Sequence, residues 1–360
     1  MLTKEKKEQL ICDSEAWWNH QLDRSLIQVT LTPSNLPFSR GELLDLCYDY
    51  SIPASQVAKD YKENIERTIY LGDAFPQFYM RSTGILGAML GQGWKISKEH
   101  GTIWYQELNK ELEDIHFDSN LDNNELFDRG MDLIKAFQDE FGDDIAYGIP
   151  NLGGMMDIVE SMRGANNCLL DLYDEPEEVL RLNNDIYQAY EKAYKEYIQQ
   201  ISTNNGLGYT GWITLLSQKP YFISQCDFCC MVGHEQFDEF VFDTLNKESH
   251  LIDRAFYHLD GPGAVKHLDD ILKCDFDGIQ WINGAGSEPL DSPKWNEIYD
   301  KVHAAGKLLQ VYIYGKEELK FIDYIVNYLG TTKDLAFICT GNEEDKEEFI
   351  KYLDKYHIPH

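Results

Sequence analysis

The stretch FYHLDGPG, Phe256 to Gly263, sets an imidazole and a carboxylate two residues apart and then ends in a Gly-Pro-Gly breaker. On a strand, residues i and i+2 leave the same face. His258 and Asp260 are therefore half of a metal site, since both side chains bind divalent ions, or a metal-free acid/base pair. The bland reading is a strand end with two polar residues leading into a turn. Further polar residues share strand faces nearby. In KLLQVYIYG, Gln310, Tyr312 and Tyr314 oppose the apolar face of Leu309, Val311 and Ile313. In FDGIQWING, Gln280 opposes Ile279 and Trp281, and in FISQCDFCC Gln225 and Asp227 fall together.

Strand and helix signatures alternate from Asp144 to the C-terminus: DIAYGIPN, YFISQCDFCCMV, RAFYHLDG, DFDGIQWING, KLLQVYIYG and DLAFICTG each precede a helical pattern. Such alternation signals a parallel sheet covered by helices. With this length it predicts a (β/α)8 TIM barrel, one domain over residues 1–360. An N-terminal extension, about residues 1–72, reads as mainly helical apart from SLIQVTLT at 25–32. In such a barrel the active site gathers at the C-terminal strand ends, where the polar residues above fall.

Lys plus Arg is 32 against 62 Asp plus Glu, a net charge of −30. That balance opposes binding to nucleic acid or to anionic lipid. It also repels polyanionic ligands unless their site is locally basic. The start, MLTKEKKEQL, has no apolar core of a signal peptide, and no apolar run is long enough for a membrane span. Eight scattered cysteines read as free thiols in a cytoplasmic protein. Two motifs mislead. GLGYTG (206–211) follows a helix, the reverse of the context a dinucleotide site requires. HEQFD (234–238) lacks the second histidine of a zinc-protease helix, so His234 and Glu235 are expected to open an ordinary helix. The cysteines of CDFCC (226–230) have no second pair at zinc-ribbon spacing and read as small core residues.

The ordered set IPNLGGMMDIVESMRGANNCLLDLYDEPEEV, SQCDFCCMVGHEQFDEF, HLDGPGAVKHLDDIL and GIQWINGAG resembles the uroporphyrinogen decarboxylase superfamily, most of all its corrinoid-linked methyltransferases. The resemblance implies a TIM barrel. It covers roughly residues 20–356. The decarboxylases of that superfamily hold their porphyrinogen with an arginine-rich N-terminal segment. Here MRST (80–83) is the nearest stretch and a poor match, which disfavours a porphyrinogen substrate. The methyltransferases share a zinc site made of His-x-Cys and a later Cys, where zinc lowers the pKa of a thiol substrate. The matching positions are His258 and Cys339, with Asp260 in place of the first cysteine.

These readings converge on an enzyme that transfers a methyl group in a corrinoid or small-molecule pathway. His258, Asp260 and Cys339 are expected to hold a metal, zinc by resemblance. Asp227, Gln280 and Tyr312 are expected to orient a small-molecule substrate. A corrinoid is expected only through a partner protein. Two alternatives stay open. One is a cofactor-independent decarboxylase with Asp227 or Asp260 as proton donor. The other is a non-catalytic barrel that binds a partner.

Overall fold

The computed structural model describes residues 1–97, 99–117 and 119–360. The fold is mixed α/β. Its strands, in chain order, are β1 (Leu26–Thr32), β2 (Ile69–Gly72), β3 (Gln77–Tyr79), β4 (Trp94–Ser97), β5 (Thr102–Tyr105), β6 (Ala146–Gly148), β7 (Tyr209–Thr210), β8 (Tyr221–Gln225), β9 (Arg254–Asp260), β10 (Gly278–Ile282), β11 (Leu308–Tyr314) and β12 (Leu335–Asn342). The main sheet runs β2-β1-β12-β11-β10-β9-β8, parallel throughout except for β2 at its edge. A second parallel sheet, β3-β6-β7, stands beside it, and β4 and β5 form a hairpin. Among the described residues the ladders thus draw two parallel sheets and not one closed ring of eight.

The first 72 residues do not stand apart from the rest. Strand β1 pairs in parallel with β12, the last strand of the chain, so the N-terminus lies inside the main sheet. The helix Lys4–Trp18 begins at Thr3, whose hydroxyl accepts from the Lys6 amide. Its C-terminal tryptophans seal the N-terminal end of the sheet. Trp17 and Trp18 pack on Phe256 with ring centroids 6.1 and 5.4 Å away, and the Trp17 indole donates to the Leu335 carbonyl. Glu15 accepts from both terminal guanidinium nitrogens of Arg254, which is buried at the start of β9. Gly278 is required here, because a Cβ at that position would meet the Phe256 ring at 2.2 Å.

Alternation along the strands sorts the core. Tyr257, Leu259, Leu309, Val311 and Ile313 are buried under the helices, as the period of two demands. Strand β8 stops at Gln225, however, and the chain turns at once into a 3-10 helix, Asp227–Met231. The strand expected over 221–232 is therefore shorter, and Asp227 sits on a turn. His234 does open a helix, His234–Phe237, which runs into a π-turn at Asp238–Phe242. The Phe240 carbonyl within that π-turn accepts from Asn183 at 2.6 Å.

Candidate functional site

A cavity of about 1430 Å³ opens at the C-terminal ends of the strands. Its wall takes Thr30 and Thr32 from β1, His258 from β9, Tyr312 and Tyr314 from β11, and Ile338, Thr340 and Asn342 from β12. These are alternate residues, so one face of the sheet supplies them all.

Below the rim, direct register lines up Gln225, His258, Gln280 and Gln310 on four neighbouring strands. Nδ1 of His258 lies 2.5 Å from Oε1 of Gln280, which is itself fully buried. An amide oxygen only accepts, so Nδ1 carries the ring proton and Nε2 keeps a bare lone pair. Burial lowers the His258 pKa against the opposing pull of Asp260, so the ring is held towards its neutral form. Trp212 meets the ring edge-on at 4.8 Å. Nε2 faces Oδ2 of Asp260 at 3.9 Å.

Asp227 completes this group. One ligand-type atom from each of Asp227, His258 and Asp260 lies within 4.8 Å of the other two. Burial first, then the nearby Asp260 carboxylate, pushes the Asp227 carboxyl up to about 6. A further carboxyl, Asp157, sits in the first turn of the helix Met155–Arg163. It accepts from the Phe228 amide at 2.8 Å, and burial followed by Asp227 pushes it up to about 7. Asn151 donates to Gln225, and Gln225 reaches Asp157 at 3.4 Å. Gly154 allows this approach, since a Cβ there would lie 2.2 Å from the Gln225 carbonyl oxygen. Among the described residues, no lysine or arginine forms an ion pair with Asp157, Asp227 or Asp260.

Cys339 is not brought to this group. Its ladder partners are Val29 and Ile313, on the helix-facing side, while its neighbours Ile338 and Thr340 face the cavity. The thiol is fully buried, and burial raises its pKa strongly. Gln280 supports His258 from beneath the cavity wall. Tyr312 lines the cavity, with its hydroxyl donating to the Trp212 carbonyl at 3.1 Å.

The cavity lining also includes two arginines. The chain has eight arginines, at 24, 40, 67, 81, 129, 163, 181 and 254. Arg24, Arg67, Arg163, Arg181 and Arg254 pair with carboxylates, and Arg129 donates to four backbone carbonyls. Among the described residues Arg40 and Arg81 have neither kind of partner, and both line the cavity. Arg81 lies over the Tyr79 ring at 5.6 Å. Sequence reading missed Arg40 and set Arg81 aside as part of the poorly matching MRST stretch, because the two come from distant segments that only the fold brings to one cavity. It also missed Asp157, which reads as an ordinary acidic residue in a helix first turn.

No family model matches the chain, and no curated protein matches it. Among solved structures it is similar to a methyltransferase from Methanosarcina mazei, with a TM-score of 0.66 and 12% identity. The match covers 97% of this chain and 99% of that one, so the likeness extends over the whole fold. No helix among the described residues is long and apolar enough to cross a membrane.

Proposed function

We propose that this chain is a methyltransferase of uroporphyrinogen decarboxylase-like, (β/α)8 type, with its reaction centre at His258, Asp260 and Asp227. The observation that carries the proposal is the convergence of one bare imidazole nitrogen and two carboxylates that, among the described residues, have no cationic side chain paired to them. Uncompensated carboxylates in a partly buried site attract a proton or a metal ion. The donor set fits a divalent ion: His258 presents Nε2 because Gln280 fixes its tautomer, which is how metal-binding histidines are commonly oriented. One nitrogen and two oxygens are a harder set than the thiolate site of the methyltransferases, which broadens the choice from zinc towards cobalt or manganese. When bound, such an ion lowers the pKa of a thiol acceptor.

The chain's own residues supply position and charge. Gln280 holds the His258 ring. Tyr312, tied to Trp212, and the neighbouring Tyr314 form an aromatic wall. Arg40 and Arg81 supply the cations of a cavity that also holds Glu42, Asp157, Glu160 and Asp227, and so favour a small substrate with a single negative end. The methyl group would come from a corrinoid presented by a partner protein. The test is transfer from methylcob(III)alamin to a panel of small anionic thiols. A thiolate takes the methyl group to give a thioether, and cob(I)alamin leaves. The proposal expects turnover that His258→Ala abolishes. No transfer by metal-loaded wild type to any thiol in the panel overturns it.

A second reading is a cofactor-independent decarboxylase with Asp227 as proton donor. It draws support from the Asp227 and Asp157 carboxyls, which burial pushes up to about 6 and about 7, closer to neutrality than an ordinary carboxyl. Release of carbon dioxide from small carboxylates by metal-free protein, lost in Asp227→Asn, would favour it over methyl transfer.

A further inference from the structure

His267 is fully buried and lies outside the cavity, behind the turn that carries Asp227. Its Nε2 is 3.1 Å from the Cys229 carbonyl oxygen and 3.2 Å from that of Val232. Carbonyl oxygens only accept, so Nε2 carries the ring proton and Nδ1 is left with a lone pair. Burial lowers the pKa of this ring and favours its neutral form. Nδ1 is buried and has no hydrogen-bond partner. A buried polar atom without a partner costs on the order of 1–3 kcal/mol, which makes an orphaned imidazole nitrogen unusual. Phe237 stacks on the ring at 4.2 Å and fixes its plane.

Two further donors stand beside it. One ligand-type atom from each of His234, His267 and Asp270 lies within 4.8 Å of the other two. Nδ1 of His234 is 3.6 Å from Oδ2 of Asp270, and the two imidazole rings are 5.1 Å apart. Lys273, 2.6 Å from Asp270, holds that carboxyl below the usual range and so keeps it ionised. A surface ion pair between Lys273 and Asp270 accounts for the carboxylate but leaves the buried nitrogen of His267 without a role.

We propose that His234, His267 and Asp270 form a second divalent-metal site, of the zinc, cobalt or nickel class, separate from the cavity. Two imidazole nitrogens and one carboxylate oxygen suit those ions and not calcium or magnesium, which take oxygen donors. The backbone carbonyls of Cys229 and Val232 play the outer partner that orients a metal-bound histidine. The site joins two connections. His234 follows the turn Asp227–Met231, and His267 and Asp270 follow the turn Gly261–Ala264 that leaves Asp260. An ion there ties together the two segments that place Asp227 and Asp260 at the cavity.

The test uses full-length protein stripped of metal by a chelator, with zinc as the probe. His258→Ala breaks the cavity group, so zinc bound by this variant reports the second site. His234 has a side chain 66% exposed, so His234→Ala leaves the core packing in place. Calorimetric titration of His258→Ala is expected to show one equivalent of zinc, with a rise in melting temperature. The double variant His258→Ala/His234→Ala is expected to bind at least about 100-fold more weakly, the upper end of what loss of even an outer-sphere partner costs, and to show no rise. Absence of binding in His258→Ala, or equal affinity in both variants, overturns the proposal. Neither outcome bears on the cavity group, which methyl transfer by wild type tests separately.

Discussion

Nδ1 of His258 meets Oε1 of Gln280 at 2.5 Å across two strands in direct register. One buried amide thereby decides which nitrogen of the ring faces the cavity. Gln280→Leu removes that acceptor and strands a buried N–H, at a cost of about 1–3 kcal/mol in stability. The ring then loses its fixed orientation, and metal affinity at His258 is expected to fall about 10–100-fold. Denaturant unfolding and metal titration of the purified variant check the two effects. Unchanged affinity would mean that Gln280 only fills space.

The free arginines lead to a prediction about substrate binding. Arg40→Met and Arg81→Met each remove a cavity-lining positive charge that, among the described residues, has no carboxylate ion pair. Charge-assisted hydrogen bonds are worth about 1.5–3 kcal/mol, so KM for an anionic thiol should rise about 10- to 100-fold. Loss of binding common to ground and transition states raises KM and leaves kcat nearly unchanged. Equal KM for wild type and both variants would place the anionic end of the substrate elsewhere.

The same scarcity bears on porphyrinogens. Two free arginines do not neutralise a polycarboxylate in a chain of net charge −30. Purified protein offered uroporphyrinogen should release no carbon dioxide above background. Turnover in the usual enzymatic range, about 1 to 1000 per second, would contradict this.

Glu248 supplies a pH dependence unconnected with catalysis. It is buried behind β8, and its carboxyl is pushed up to about 8 by burial. Ser224 and Tyr190 flank it without closing a hydrogen bond of ordinary geometry. The folded state therefore holds a proton that the unfolded chain releases near pH 4.3. The stability this gives is complete below about pH 4 and declines as pH rises through about 8. Glu248→Gln, which cannot ionise, should melt higher than wild type at pH 8–9 and show a flatter profile. Parallel pH profiles of the melting temperature for the two proteins between about pH 5 and 8, where the proton is held only by the folded state, would refute the assignment.

What the sequence made legible follows from strand periodicity. His258, Gln280, Gln310 and Tyr312 fell on one face because a period of two sorts residues when one face is apolar. LAFICTG is apolar on both faces, so the same rule was silent on Cys339, and register with Ile313 turns its thiol towards the helices. Asp227 was assigned by strand parity, but the chain leaves the strand after Gln225. Its approach to His258 depends on a 3-10 turn that no periodicity announces. Arg40 and Arg81 come to one cavity only because the segments that follow β1 and β3 carry them there, a tertiary effect with no local sequence signal.

The ligand set is the central claim, and X-ray absorption at the zinc edge addresses it most directly. The sample is zinc-loaded His234→Ala protein, so that the second site does not contribute. The account predicts nitrogen and oxygen neighbours only, at about 2.0–2.2 Å, from His258, Asp260 and Asp227. It predicts the same spectrum for Cys339→Ser and a changed one for Asp227→Ala. A sulfur neighbour at about 2.3 Å that vanishes in Cys339→Ser would contradict it.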